Sequence, residues 1–125
     1  MSRVALVVDD SMLIRHAVCR YLEERGFAVE SATDGQEALE LLQTVLPDLI
    51  ITDLIMPRMD GAEFITRLKA APHTAKIPIV LLAARSSAGS LEEKRVDFVI
   101  YKDIEIESQL SKALVAALGD KAYAD

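Results

Sequence analysis

Four residues in this chain combine type and spacing in a way that suits chemistry: the acidic pair Asp9-Asp10, then Asp53, then Lys102. Each follows a short run rich in Val, Ile and Leu: Val4-Ala5-Leu6-Val7-Val8 before the pair, Leu49-Ile50-Ile51-Thr52 before Asp53, and Phe98-Val99-Ile100-Tyr101 before Lys102. Three carboxylates brought together repel one another unless a cation joins them, and an oxygen-only cluster suits a hard ion such as Mg²⁺. Mg²⁺ takes few protein ligands and keeps positions open for water or phosphate oxygens. A lysine alongside offers a point charge to a further phosphoryl oxygen. The set therefore suits phosphoryl transfer, with a carboxylate nucleophile, a metal ion and a lysine. Taken singly, each residue has a plainer reading. The pair suits a helix N-terminus favoured by the dipole, Asp53 suits a turn before Pro57, and Lys102 suits a solvated strand end.

The elements decide between these readings, because they determine whether the four residues meet. The run at residues 4–8 is apolar without alternation, as expected of a strand buried on both faces. After Ser11, residues Leu13, Ile14, Ala17, Val18, Tyr21 and Leu22 follow helical spacing as far as Gly26, which suits a helix C-cap. Residues 27–32 predict a second strand whose polar interruptions place it at a sheet edge. Thr33-Asp34-Gly35 opens a second helix, with Glu37 completing its cap, Ala38, Leu41, Leu42 and Val45 as its stripe, and Pro47 as its stop. Residues 48–52 form the third strand. Asp60-Gly61-Ala62-Glu63 starts a third helix that runs through Phe64, Ile65 and Leu68 to Pro72. Residues 77–82 and 98–101 are the fourth and fifth strands. Between them a polar loop at residues 85–90 leaves room for only a short or irregular helix at residues 91–96. The last helix covers residues 105–118, with Ile106, Leu110, Ala113, Leu114 and Ala117 on one face and Gly119 behind it.

Strands that alternate with helices predict an α/β, doubly wound parallel sheet with helices on both faces. Ligands of such sheets bind beyond the carboxyl ends of the strands, where strand order reverses. That rule sends Asp9, Asp10, Asp53 and Lys102 to one end of the sheet.

With 125 residues, 51% of them hydrophobic and 27% charged, the chain reads as one folded domain rather than a disordered segment. Its 20 acidic residues against 14 basic ones, a net charge of -6, argue against direct nucleic-acid binding. The lone Cys19 has no internal disulfide partner, which fits a reducing compartment. The first apolar run meets Asp9 before a signal-peptide core is complete, and no run approaches the ~18 residues of a membrane span. A cytoplasmic location without a membrane partner is the expectation. His16 and His73 are expected to be exposed and outside the chemistry, and Met56 and Met59 to pack a loop.

Val8-Asp9-Asp10-Ser11, the run Asp53-Leu54-Ile55-Met56-Pro57-Arg58-Met59-Asp60-Gly61 and the downstream Lys102 resemble the receiver (CheY-like) domain of two-component response regulators. The resemblance covers about residues 3–118 and implies a single receiver domain over 1–125 with a tail at 119–125. It also implies a flavodoxin-like five-stranded sheet in the order 2-1-3-4-5. By position, it makes Asp53 the phosphoacceptor for a histidine kinase, a phosphotransfer protein or a small phosphodonor. It implies that Asp10 and Asp53 ligate Mg²⁺ by side chain and Ile55 by its main-chain carbonyl, with Asp9 supporting through water and Lys102 contacting the phosphoryl group. Such a domain is a signalling phosphoacceptor rather than an enzyme: its only reactions are its own phosphorylation and the hydrolysis of its acyl phosphate. An output protein, and a second copy as a dimer, are the further partners implied.

The sequence departs from the family in one region. Ala83 stands where the resemblance implies a Thr or Ser, Val99 where it implies an aromatic switch residue, and Asp103 where it implies a proline with its cis peptide bond. The interval from Ala83 to Lys102 is about three residues short. Arg85, Ser86 and Ser87 are candidates to contact the phosphoryl group in place of the missing hydroxyl. These departures motivate an alternative, a degenerate receiver acting as a phosphorylation-independent interaction module. A third reading, a flavodoxin-like electron carrier, needs a hydroxyl- and glycine-rich phosphate loop after the first strand, where Asp9 and Asp10 repel a flavin phosphate.

Overall fold

The structure of the protein, a computed structural model, describes residues 3–84 and 95–119. The segments read as strands become β1 (Val4–Val8), β2 (Ala28–Ala32), β3 (Leu49–Asp53), β4 (Ile79–Ala83) and β5 (Phe98–Tyr101). All pair in parallel, in the order β2-β1-β3-β4-β5, which is the expected flavodoxin-like topology. The described helices are α1 (Met12–Glu23), α2 (Gly35–Leu41), α3 (Gly61–Ala70) and α4 (Ile106–Leu118).

The period-two geometry of a strand explains why the runs are apolar throughout. Ala5 and Val7 of β1 join Leu49, Ile51, Val80, Leu82 and Ile100 on the face covered by α1 and α4, through Val18, Tyr21, Leu22, Leu110, Ala113 and Leu114. Leu6 and Val8 join Ile50, Ile79 and Leu81 on the opposite face, covered by Ala38 of α2 and by Phe64, Ile65 and Leu68 of α3. Each fully buried aliphatic side chain contributes about 1.5–3 kcal/mol, so a polar residue at either parity of a central strand is costly. The edge strand β2 is relieved of that demand and carries exposed Glu30 and Ser31. The chain leaves β1 in one direction to β2 and returns on its other side to β3, so strand order reverses at the carboxyl ends of β1 and β3.

Three local expectations need correction. The α1 stripe is narrower than its spacing predicts: Leu13 is 84% exposed and Ala17 is exposed, because the helix starts beyond the end of β1, where Ile14 reaches only the margin of the core, and full burial begins at Val18, Tyr21 and Leu22. The second helix stops at Leu41 rather than running on through Val45. The N–H groups of Gln43 and Thr44 reach back only three residues, to the carbonyls of Glu40 and Leu41 at 3.2 and 3.0 Å, and this tightening turns the chain toward β3 before Pro47. The short helix expected at residues 91–96 falls mostly outside the described residues, and Arg95 and Val96 are not helical. Asp97 already commits the chain to the sheet, donating its N–H to Ile79 O at 2.8 Å and accepting the Ile79 N–H on Oδ2 at 2.9 Å. Gly26 ends α1 as expected, in the left-handed region at φ +91°, with the Phe27 N–H returning to Leu22 O at 3.1 Å.

Candidate functional site

β1 delivers Asp9 to the switch point fully buried. Its N–H donates to Ala32 O at 3.1 Å, its carbonyl accepts from Arg15 Nη1 at 2.8 Å, and its Oδ1 accepts the Ser11 N–H at 2.8 Å. The exposed Asp10 follows. Ser11 is the N-cap of α1, and the helix has no acidic residue in its first turn, so the pair does not serve as the helix cap. Asp53 ends β3 with 5% exposure; Oδ1 accepts the Leu54 N–H at 2.8 Å and Oδ2 accepts from Lys102 Nζ at 2.9 Å. Lys102 follows β5, its own N–H held on Ala83 O at 2.9 Å, and its ammonium lies 3.1 Å from Asp9 Oδ2. β1, β3 and β5 thus bring together the residues that the sequence singles out.

Oxygens of Asp9, Asp10 and Asp53 lie within 4.8 Å of one another. Three carboxylates against one ammonium leave two formal negative charges, the charge a divalent ion offsets. Asp9 Oδ2 is buried and, among the described residues, has no aligned hydrogen-bond donor; its contact with Lys102 is an ion pair alone. An oxygen-only donor set containing such an atom fits Mg²⁺ rather than a softer metal. The electrostatics agree with this fit. Burial, reinforced by the neighbouring Asp9 charge, pushes the Asp53 carboxyl above its ordinary range against the pull of Lys102. For Lys102, burial acts to lower the pKa, but the hydrogen bond and charge of Asp53, with the charge of Asp9, outweigh it and hold the ammonium above its ordinary value. A cleft of about 240 Å³ opens beside these groups, lined by Asp10, Asp53, Leu54, Ile55, Ala83, Ala84 and Lys102.

The chain matches the family model of the response regulator receiver domain over residues 5–114. It belongs to the receiver family. It is 42% identical over 90 residues to the gliding motility regulatory protein of Myxococcus xanthus, a match covering 72% of this chain and 11% of that protein. It is 42% identical over 82 residues to the response regulator MprA of Mycolicibacterium vanbaalenii, covering 66% of this chain and 35% of that one. The chain therefore spans about a third or less of the length of these curated relatives. Among solved structures, the chemotaxis response regulator CheY4 of Vibrio cholerae aligns with a TM-score of 0.82 at 32% identity, covering 90% of this chain and 96% of that one. The signal receiver domain of a Syntrophus aciditrophicus histidine kinase aligns at 0.81 and 33% identity, covering 96% and 93%. A receiver domain of a Pseudomonas aeruginosa sensor histidine kinase, 21% identical with a TM-score of 0.84 and coverage of 96% and 100%, shares the fold; its structure holds a magnesium ion in the active-site cleft.

In this receiver the three positions expected to depart from the family pattern, Ala83, Val99 and Asp103, separate into two groups. Ala83 ends β4 almost fully buried and lines the cleft, so the cleft wall presents a methyl group there. Val99 instead packs, half-buried, against the core under α2 and α3, and Asp103 is exposed beyond Lys102; neither lines the cleft. Arg85, Ser86 and Ser87 lie outside the described residues. Ile55 borders the cleft and is 67% exposed. His16 and His73 are exposed, and Met56 and Met59 are buried in the core as loop packing.

The loop from β3 to α3 carries two features that pattern reading misses. A Cβ on Gly61 would lie 2.5 Å from Asp53 O and 2.7 Å from Leu54 Cα, and the Gly61 N–H donates to Leu54 O at 2.7 Å. The helix start is therefore pressed onto the backbone of the residue that ends β3, an approach open only to glycine. Arg58 adopts φ +64°, and its Nε donates to Asp34 Oδ2 at 2.8 Å. Asp34 is 3% exposed and caps α2 by accepting the Glu37 N–H at 2.9 Å, so one carboxylate ties the loop to a neighbouring helix. The Asp60-Gly61 pair is a signal in the sequence, whereas nothing in the residue type of Arg58 marks a left-handed position, and the partners of both are set only by tertiary approach.

Proposed function

We propose that this receiver is a phosphorylation switch in two-component signal transduction, in which Asp53 takes a phosphoryl group from a histidine kinase or phosphotransfer protein and thereby changes the binding of an output protein. The observation that carries the reading is the shared ammonium: Lys102 Nζ lies 2.9 Å from Asp53 Oδ2 and 3.1 Å from the buried Asp9 Oδ2, at the mouth of a cleft. In the transfer, a carboxylate oxygen of Asp53 bonds to phosphorus as the bond from phosphorus to the donor nitrogen breaks, and that electron pair leaves with the donor. The Leu54 N–H on Oδ1 orients the carboxylate. Lys102, kept cationic by its carboxylate neighbours, would take a non-bridging oxygen. Asp10 and Asp53 by side chain, Ile55 by carbonyl and Asp9 through water are the residues that would hold a Mg²⁺ ion, which supplies positive charge against the phosphoryl oxygens. The domain acts on itself, by autophosphorylation and acyl-phosphate hydrolysis, and not on a free substrate; the cytoplasm is the compartment in which such a donor meets it.

Ala83 offers the cleft a methyl group where the resemblance implies a hydroxyl contact to the phosphoryl group, but it leaves the acidic set and Lys102 in place. This is why the phosphorylation-independent module is the weaker reading. The test is labelling by phosphoramidate with detection by intact mass. One phosphoryl group is expected with Mg²⁺, none with EDTA and none in Asp53→Asn; equal labelling of that variant contradicts the proposal.

A further inference from the structure

We propose that Gln109 is a positioning residue for Lys102, acting as a side-chain substitute for the strand that β5 lacks on its open side. The inference rests on the reading of Asp53 as phosphoacceptor and Lys102 as its phosphoryl contact. β5 is the last strand of the sheet, so alternate backbone groups along it have no strand partner. At the strand's end this alternation divides two neighbouring residues. The Lys102 N–H points inward and donates to Ala83 O at 2.9 Å. Tyr101 presents its groups to the other side, where the Gln109 amide meets both: Oε1 accepts the Tyr101 N–H at 2.9 Å and Nε2 donates to Tyr101 O at 3.0 Å. Nε2 also donates to Glu105 O at 2.8 Å, closing the loop between β5 and α4.

The clamp is rigid at its own end. Gln109 lies one turn into α4, half-buried, and the helix start is fastened by Glu105, whose carboxylate accepts the N–H groups of Glu107 and Ser108 at 2.7 and 3.2 Å. The neighbouring Leu110 is buried against the sheet, so the position of Gln109 is fixed by the core. Lys102 is thus held from both sides, by β4 through its own amide and by α4 through the residue before it. An amide is the one side chain of this length that both accepts and donates in a pair of this kind. Its removal leaves the Tyr101 N–H to water and the Tyr101 carbonyl with only the longer bond from the Ile104 N–H at 3.3 Å, which loosens the segment that aims the ammonium. Active sites are sensitive to such displacement: a shift of about 1 Å can cost on the order of a hundredfold in rate.

A double-mutant cycle on the rate of Mg²⁺-dependent phosphoramidate labelling separates positioning from general support, using wild type, Gln109→Leu, Lys102→Ala and the double variant. Gln109→Leu is expected to slow labelling about tenfold when Lys102 is present and by less than about twofold when it is absent. Gln109→Glu keeps the acceptor for Tyr101 N–H but loses both donations and is expected to fall between Leu and wild type. It also replaces Leu in the cycle if Gln109→Leu does not fold. Equal slowing with and without Lys102, or no slowing in a folded variant, overturns the inference. Wild type that fails to label overturns the phosphoacceptor reading instead. The clamp is then decided by the ¹⁵N-resolved Lys102 ammonium signal: slow hydrogen exchange in wild type and fast exchange in Gln109→Leu supports it, and equal exchange in both overturns it.

Discussion

Lys102 answers two carboxylates at once, Asp9 with no exposure and Asp53 with 5%. Its replacement leaves two buried negative charges without a nearby cation. Breaking a fully buried pair costs about 3–5 kcal/mol, and because the lysine side chain keeps 20% exposure we expect Lys102→Ala to cost about 2–3 kcal/mol in urea unfolding. Mg²⁺ should restore more stability to that variant than to wild type, since the ion then meets a more negative cluster; equal restoration would mean that the acidic set is not where the ion binds. Gly61 is constrained by space alone. Gly61→Ala drives a methyl group into Asp53 O and Leu54 Cα, so a loss of about 1–3 kcal/mol, with slower labelling because the displaced backbone carries the acceptor, is the expected outcome in paired unfolding and mass measurements.

The β3–α3 loop and the start of α2 behave as one element because Asp34 serves both. In wild type the left-handed conformation of Arg58 is offset by its bond to that carboxylate. Arg58→Ala keeps the backbone cost and loses the bond, whereas Arg58→Gly loses the bond and the cost together, so Gly should exceed Ala by about 1 kcal/mol in unfolding free energy. The same carboxylate predicts a pH dependence. Burial acts to raise the pKa of Asp34, but the Glu37 N–H and the Arg58 guanidinium outweigh it and hold the group below its ordinary value. A depressed folded pKa means that the stabilisation is fully present above the unfolded value, about pH 4, and is lost as pH falls through the lower folded value. The stability gap between wild type and Asp34→Asn should therefore be widest near neutrality and close in acid; a gap that grows in acid would contradict the assigned direction. None of this coupling is legible along the chain, since Asp34 and Arg58 are separated by a whole strand and meet only once the sheet has formed.

At the scale of the molecule, the legible features are those dictated by burial on both faces of the sheet. Apolar runs without alternation identify the central strands, polar interruptions identify the β2 edge, and acidic residues directly after such runs identify the switch point. The features that escape are set by approach between distant segments: the exposed start of α1, the early end of α2, the contact that demands Gly61, and the grip of Gln109 on β5. The acidic cluster also predicts how the whole fold responds to its ion. Binding to the folded state alone stabilises by mass action, so Mg²⁺ at a hundredfold excess over its Kd should add about 2.7 kcal/mol, removed again by EDTA. Calorimetry on Asp10→Asn should show most of that gain lost. The central claim, that Asp53 accepts the phosphoryl group, is tested most directly by locating the modification itself. Phosphoramidate-treated protein is reduced with borohydride, which captures an acyl phosphate, and digested for peptide mass analysis. Reduction confined to residue 53 is the predicted result; a labelled chain whose modification maps to Asp9, Asp10 or Ser11 would contradict it.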